Sequence, residues 1–134
     1  MSVASAPPEP IARWYRAVEA NDMSDLEDML TDDATFSSPA VHTPQIGKPI
    51  VAKYLRAAMV VLNNPTFRYT GEWFAGNSAV LEFELTIDGI HVNGVDLIAW
   101  DDGGRITTFK VMVRPLKGLT TVVERMGREL QPQT

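Results

Sequence analysis

The chain contains no cysteine among its 134 residues, which excludes disulfides, thiolate metal sites and cysteine nucleophiles. It also lacks any apolar run near the ~20 residues needed to cross a bilayer, so we expect no membrane partner. The opening segment MSVASAPPEP has neither a basic start nor an apolar stretch, and we therefore expect no signal peptide. These absences favour a location in the cytoplasm.

The sequence also lacks the motifs of several enzyme classes. It has no G-x-S-x-G, no phosphate-binding glycine loop and no H-E-x-x-H. Its two histidines, His42 and His91, have no ligand-like spacing with carboxylates, so we expect neither a metal nor another cofactor. The net charge is −5, and no dense basic stripe with interleaved aromatics occurs, which argues against a nucleic-acid partner.

The length and composition indicate one globular domain. The chain is 45% apolar and 22% charged, an ordinary balance for a folded protein of this size. Residues 1–9 are rich in Pro, Ala and Ser, and we interpret them as a flexible lead-in. The remaining segment, 10–131, is predicted to form the domain.

Four segments have the apolar spacing or the end signals of helices. The first opens at Pro10 and places apolar residues three or four positions apart over its first turns. Ser24 and Glu27 form a capping-box pattern that predicts a second, shorter helix. Pro49 opens a third helix, and a terminal amphipathic helix is predicted from Leu119.

The apolar period changes to 2 after Pro65, which is typical of strands. Alternation predicts four strands near 67–73, 79–87, 91–100 and 105–113, and Asp88-Gly89 is a strong hairpin signal. A short strand is also predicted at 34–36. Helices first, then an antiparallel meander, then a helix indicate an α+β fold. We expect a bent antiparallel sheet wrapped around the N-terminal helices as a cone, with an added C-terminal helix.

Asp96 is the strongest chemical signal in the sequence. It lies in VNGVDLIAW with apolar residues on both sides of the strand alternation, so neither strand face is predicted to be exposed. Loss of water disfavours a carboxylate and raises its pKa, which makes such a group a proton donor or acceptor near neutral pH. The alternative is an aspartate satisfied by a neighbouring Arg, His or Tyr for structural reasons.

The segment DLIAWDDGGRI, together with the earlier ARWY, DDATFSSP and GKPIVAKYL, resembles the nuclear transport factor 2-like superfamily. Within it, the sequence is most similar to SnoaL-like proteins and ketosteroid isomerases, over about residues 10–115. The resemblance implies a cystatin-like cone with an apolar internal pocket, and a homodimer formed through the outer sheet face. On that face the strand alternation places Glu82, Glu84, Lys110, Met112 and Arg114.

The catalytic residues of ketosteroid isomerases are only partly retained. Those enzymes use an Asp base together with a Tyr and a protonated Asp that hold the oxyanion. The resemblance puts the protonated Asp on Asp96, the base on Ser38 and the Tyr on Trp14. A serine hydroxyl does not accept a proton at neutral pH, and an indole N–H is a weak oxyanion partner. The Arg-x-Asp pair of epoxide hydrolases of this fold is absent because Gly94 precedes Asp96 by two positions.

Two further residues are candidates for assisting Asp96. His42 lies in the loop that borders the pocket mouth in the resembling proteins, and Tyr54 lies on the inward face of the third helix. A solvated loop histidine and a core tyrosine would give the same pattern. The predicted catalytic set is thus Asp96, His42 and Tyr54. The predicted ligand-binding residues, which would look the same as plain core, are Trp14, Ser38, Leu81, Phe83, Ile98, Trp100, Phe109 and Val111.

Three functional hypotheses follow from these patterns. The first is an isomerase- or cyclase-like enzyme that binds a small apolar, steroid- or polyketide-like molecule and transfers a proton at Asp96. The second is a binding module for such a molecule without turnover. The third is a dimerisation module whose interior is filled by side chains.

Overall fold

The computed structural model describes residues 6–131 of the chain. In this part, a one-turn 3-10 helix (Leu26–Met29) accompanies three α-helices, α1 (Glu9–Ala20), α2 (Lys48–Leu62) and α3 (Leu116–Leu130). The strands are β1 (Leu30–Ser37), β2 (Gln45–Ile46), β3 (Arg68–Ala75), β4 (Ser78–Ile87), β5 (Ile90–Trp100) and β6 (Ile106–Arg114). The predicted α+β class is confirmed.

The strands form one sheet in the order β2-β1-β6-β5-β4-β3. Strands β3 to β6 are the predicted antiparallel meander, and β2 and β3 lie at opposite edges, so the sheet is not closed. One pair departs from the expected antiparallel sheet, since β1 runs parallel to β6. Because β1 is joined to β6 through α2 and the whole meander, no hairpin turn imposes an antiparallel arrangement.

The sheet is curved, and its concave face carries the core. Register shifts interrupt the pairing between Tyr69 and Gly71 and between Ala99 and Trp100, and such bulges bend the strands that contain them. Along β4 every second residue is buried, which gives the inner row Ala79, Leu81, Phe83, Leu85 and Ile87. This row packs with α1 and α2 in one apolar core.

Helix α1 forms as predicted and buries Ile11, Trp14 and Val18 against the sheet. It ends at Asn21, whose left-handed backbone lets its N–H reach the last carbonyls of the helix. The domain limit at residue 10 stays a prediction. Residues 1–5 of the predicted lead-in lie outside the described residues, and Glu9 already belongs to α1.

The predicted helix with a capping box at Ser24 and Glu27 is wrong. The chain makes only the 3-10 turn there, and no side chain caps it. The Ser24 N–H instead bonds Asp22 Oδ1 at 3.0 Å. A longer helix is prevented because Leu30 starts β1 and pairs with Ile106 of β6, and this strand pairing overrides the local helical signal.

Helix α3 lies against α2, β5 and β6, and starts at Leu116, three residues earlier than predicted. Near its start, Gly118 comes so close to the sheet that a Cβ there would lie 2.6 Å from the His91 carbonyl oxygen. Further along, Arg125 pairs with Asp88 in the β4–β5 turn. None of the helices within residues 6–131 has the length and apolar content to span a bilayer.

Candidate functional site

Asp96 lies on the concave face of β5, between Leu81 of β4 and Val111 of β6. Its inward orientation follows from the strand alternation, which also buries Val92, Ile98 and Trp100. The residue is 5% exposed, and within residues 6–131 it is the only polar residue of the buried core. The predicted burial of this carboxyl group is therefore seen in the structure.

A chain of two hydrogen bonds ends on this carboxyl group. The Tyr69 hydroxyl of β3 donates to Asp96 Oδ2 at 2.8 Å, and the Trp14 indole N–H of α1 donates to the Tyr69 oxygen at 2.8 Å. Trp14 itself is fully buried. Its N–H is thus used to hold Tyr69, and Tyr69 in turn holds one oxygen of Asp96. We call this set the Asp96 chain.

Burial raises the pKa of Asp96 to about 7, while the hydrogen bond from Tyr69 acts in the opposite direction. No ion pair to a Lys or Arg of the described residues offsets the loss of water around Asp96. Burial, and after it the nearby Asp96 charge, also raises the pKa of Tyr69 well above its usual value. Tyr69 therefore keeps its proton, and Asp96 is the group that titrates near neutral pH.

The second oxygen of Asp96, Oδ1, accepts no hydrogen bond from the described residues. Every fully buried side-chain nitrogen or oxygen of these residues does have a partner. It follows that Oδ1 is not fully buried and still touches space that a water-sized molecule can enter. Oδ2 is thus committed to Tyr69, whereas Oδ1 is available.

An open groove approaches the same chain from outside, between α1 and β3. Its volume is about 700 Å³, and Tyr15, Phe67, Tyr69 and Glu72 are among its walls. The Tyr15 hydroxyl donates to Glu72 Oε2 at 2.5 Å, and the Tyr15 ring lies 5.3 Å from that of Tyr69. Burial and the Glu72 carboxylate raise the pKa of Tyr15 well above its usual value. This groove therefore reaches the ring of Tyr69, and its walls combine protonated phenols with charged side chains such as Glu72 and Arg68.

A second recess, which we call the α3 chamber, lies between the end of β1, α2 and α3. It is apolar and has a volume of about 220 Å³. The walls that matter below are Phe36, Ser38, Tyr54, Ala58, Val111 and Met126. Its link to the Asp96 chain is Val111, the cross-strand neighbour of Asp96.

Aromatic rings connect the α3 chamber with the Asp96 chain. The Tyr54 ring, which borders the chamber, lies 5.8 Å from Phe36, and Phe36 lies 6.2 Å from Phe109. Phe109 then meets Trp14 edge to face at 5.0 Å. These rings form a continuous row of contacts in the core from the chamber to Trp14.

Apart from His42, the predicted site residues fall into three places. Trp14 and Asp96 belong to the hydrogen-bonded chain, whereas Ser38, Tyr54 and Val111 border the α3 chamber. The remaining predicted ligand-binding residues are buried core on the inner sheet face, namely Leu81, Phe83, Ile98, Trp100 and Phe109.

His42 and Ser38 lie in the same loop after β1 but have different surroundings. His42 is exposed and lines a surface recess with Ser38 and Lys110, a place it does not share with Asp96. Ser38 Oγ accepts hydrogen bonds from the backbone N–H groups of Ala40 and Val41, at 3.3 and 3.1 Å. Ser38 thus fixes the fold of its own loop.

Tyr69 is the residue that the sequence reasoning missed. It was one of several alternating apolar positions in a predicted strand, and nothing local distinguished it from core. The signal was the requirement that a buried Asp96 find a donor, combined with the inward alternation of Phe67 and Tyr69.

The structure also shows no group of three or more His, Asp or Glu side chains arranged to hold a metal among residues 6–131.

The sequence and the structure were then compared with known proteins. The family model described as "SnoaL-like domain" matches residues 11–109. No curated protein matches the chain. A steroid delta-isomerase from Pseudomonas aeruginosa is 38% identical with a TM-score of 0.87, over 91% of this chain and 89% of that one.

Two further solved structures share the architecture. An uncharacterised bacterial protein with a cystatin-like fold from Silicibacter pomeroyi is 30% identical with a TM-score of 0.81, over 89% of this chain and 83% of that one. The epoxide hydrolase/cyclase-like enzyme SalBIII, linked to pyran ring formation in the polyether salinomycin, is 21% identical with a TM-score of 0.62, over 79% and 88%. At 21% identity, the similarity to SalBIII concerns the fold alone.

Proposed function

The chain belongs to the family of SnoaL-like domains, and on that premise we propose that it binds a small apolar, steroid- or polyketide-like molecule in its interior and exchanges a proton with it at Asp96. The observation that carries the proposal is the buried carboxyl group of Asp96, whose pKa is raised to about 7. The similarity to a steroid delta-isomerase supports the same class of reaction.

The proposed chemistry is an isomerase- or cyclase-type proton transfer. At neutral pH, Asp96 is present in both protonation states, which suits general acid–base work. Oδ1, to which none of residues 6–131 donates a hydrogen bond, removes a proton from a carbon next to a ketone and returns it at another carbon, so no net proton is gained or lost. Tyr69, by its bond to Oδ2, holds the carboxyl group in place during both steps.

This scheme differs from that of ketosteroid isomerases at two positions. Ser38 carries no carboxylate and is bonded within its own loop, so Asp96 itself has to be the base. Trp14 donates to Tyr69, so its N–H is not free for an oxyanion. Tyr54 and His42 stay proposed assistants, and Tyr54 is the better placed because it borders an internal recess.

The test is turnover of a series of cyclic ketones of one to four rings, each with a double bond one carbon removed from conjugation, followed by the absorbance of the conjugated product. Asp96→Asn keeps the shape of the side chain but cannot exchange the proton, and we expect it to lower kcat at least about 100-fold. Asp33→Asn is the matched control because Asp33 is an exposed aspartate outside the site. Full activity in Asp96→Asn would reject Asp96 as the acid–base group.

The alternative is a binding module without turnover. It is favoured by the lining of the α3 chamber, in which Tyr54 is the only ionisable residue among those that the structure describes and Asp96 is not included. A ligand that raises the melting temperature and is recovered unchanged after long incubation, in both wild type and Asp96→Asn, would establish this alternative.

We also propose a cytoplasmic homodimer formed through the outer sheet face. There Met112 is 52% exposed and Lys110 is exposed beside it, which gives the mixed apolar and charged surface of a subunit contact. Analytical ultracentrifugation of wild type and Met112→Glu tests the proposal. A dimer that the substitution dissociates supports this face, and a monomeric wild type rejects it.

A further inference from the structure

Helix α3 supplies one wall of the α3 chamber, and this helix lies outside the residues matched by the family model. Its first half is tightly packed, with Gly118 against the His91 carbonyl and Val122 only 4% exposed. Its second half is looser, since Val123 is 36% exposed and Met126 is only partly buried. The chamber is the space that this looser half leaves above α2.

The position of the wall is held at two points along α3. One is the close approach of Gly118 to β5, and the other is the ion pair between Arg125 and Asp88. These contacts lie on either side of Val122, so α3 is held to the sheet between Gly118 and Arg125. The size of the chamber is therefore set by α3 itself.

The side chains that line the chamber can form one hydrogen bond with a ligand. Its surface is apolar except at Ser38 and Tyr54, and Ser38 Oγ already accepts two backbone N–H groups. The Tyr54 hydroxyl bonds to none of the described residues, and because every fully buried polar side-chain atom of these residues has a partner, it faces accessible space. An apolar ligand with one oxygen would complement this arrangement.

The volume limits the ligand further. An apolar protein cavity of about 150 Å³ holds benzene, so about 220 Å³ accommodates one or two fused rings. Pockets for drug-sized molecules are larger, roughly 300–1,000 Å³. With α3 in the observed position, a four-ring skeleton is too large for the chamber.

We infer that the α3 chamber is the binding site for a one- or two-ring apolar molecule with a single oxygen, which bonds the Tyr54 hydroxyl and is limited in size by α3. The inference rests on the proposed ligand-binding function and narrows its ligand from steroid- or polyketide-like molecules to the smaller members of that range. It does not require Asp96 to react.

The test compares 2-naphthol with estrone, which carries a phenol on a four-ring skeleton. We expect 2-naphthol to bind wild type at least about tenfold more tightly than estrone, in titrations followed by the naphthol fluorescence and by calorimetry. Ala58→Leu fills the chamber and should lower the affinity for 2-naphthol at least about tenfold. Tyr54→Phe removes the hydrogen bond and should weaken it about fivefold to tenfold.

Two variants serve as controls. Val60→Leu enlarges an exposed residue of the same helix outside the chamber and should leave both affinities unchanged. Met126→Ala enlarges the chamber and should raise the affinity for estrone relative to the affinity for 2-naphthol. The inference is overturned if 2-naphthol does not bind wild type, if estrone binds as tightly, or if Ala58→Leu and Val60→Leu bind 2-naphthol equally well.

The outcome is separable from that of the proposed proton transfer. Asp96→Asn should bind 2-naphthol with wild-type affinity, because Asp96 is not among the described residues that line the chamber. Loss of turnover in Asp96→Asn with unchanged 2-naphthol binding would support both proposals. Turnover that survives in Asp96→Asn, with binding that is sensitive to Ala58→Leu, would reject only the reaction at Asp96.

Discussion

The Asp96 chain and the α3 chamber lie in the same core, but each has what the other lacks. The Asp96 chain has a carboxyl group that titrates near neutral pH, and it is packed so closely that Asp96 is 5% exposed. The α3 chamber has a volume of about 220 Å³, and the Tyr54 hydroxyl is what its described walls offer to a polar group of a ligand. Chemistry and space are therefore found in different places.

This difference follows from the cost of burying polar groups. A buried carboxyl group needs a partner and close packing around it, and Tyr69 and Trp14 supply these. An apolar recess has no such requirement and can stay open. Binding in the chamber uses an existing recess, whereas a reaction at Asp96 requires the ligand to reach past Val111, which lines the chamber and is the cross-strand neighbour of Asp96.

The largest effect is expected from Asp96→Asn, which removes the ionisable carboxyl group of the Asp96 chain. The folded pKa of about 7 lies above the ordinary value of 3.8, so the folded protein holds a proton that the unfolded chain has released. The contribution of Asp96 to the free energy of unfolding therefore falls as pH rises from about 4 to about 7, by up to about 4 kcal/mol. Asn has no carboxylate to bury, so the free energy of unfolding of Asp96→Asn should increase relative to that of wild type as pH rises.

Urea unfolding of both proteins at about pH 4.5 and about pH 8 measures this difference. Glu27 and Asp28 have lowered pKa values from their Arg partners and act in the opposite direction at lower pH, but both proteins share them. An equal stability difference at the two pH values would contradict a raised pKa at Asp96.

An intermediate effect is expected when the hydrogen-bond chain is cut. Tyr69→Phe leaves Trp14 Nε1 without an acceptor and Asp96 without a donor, and should cost about 2–3 kcal/mol of unfolding free energy. Tyr15→Phe removes a hydroxyl bonded to the exposed Glu72 and should cost less than about 1 kcal/mol. Equal losses would show that the chain does not stabilise the core more than a surface contact does.

The smallest effect is expected from a larger side chain in the chamber. Ala58→Leu has the α3 chamber to expand into, so its unfolding free energy should stay within about 1 kcal/mol of wild type. Ala34→Leu makes the same change at a fully buried position of β1 and should cost about 1–3 kcal/mol. Thermal and urea unfolding would contradict the comparison if both substitutions cost the same.

Most of the fold was predictable because the apolar periods are strong. The alternation from residue 67 onward predicted the meander, and the Pro-initiated patterns predicted α1 and α2. The failures came where distant contacts decide. The capping-box signal at Ser24 lost to the pairing of Leu30 with Ile106, and nothing near β1 indicated that it would run parallel to β6.

The candidate site was predictable only in part. The burial of Asp96 followed from its apolar neighbours, but its partner Tyr69 is 27 residues away and required the tertiary fold. The size of the α3 chamber depends on how α3 packs, which side-chain spacing alone does not define. Strand periodicity therefore located the carboxyl group, and only the assembled core showed what surrounds it.

The most direct test of the central claim is a pH titration of the Asp96 side-chain carboxyl carbon by NMR in the folded protein. We predict a midpoint near pH 7 in wild type, because burial disfavours the carboxylate. In Tyr69→Phe the midpoint should move higher, since the hydrogen bond from Tyr69 lowers the pKa of Asp96. A wild-type midpoint near the ordinary value of 3.8 would contradict a buried Asp96 that exchanges protons near neutral pH.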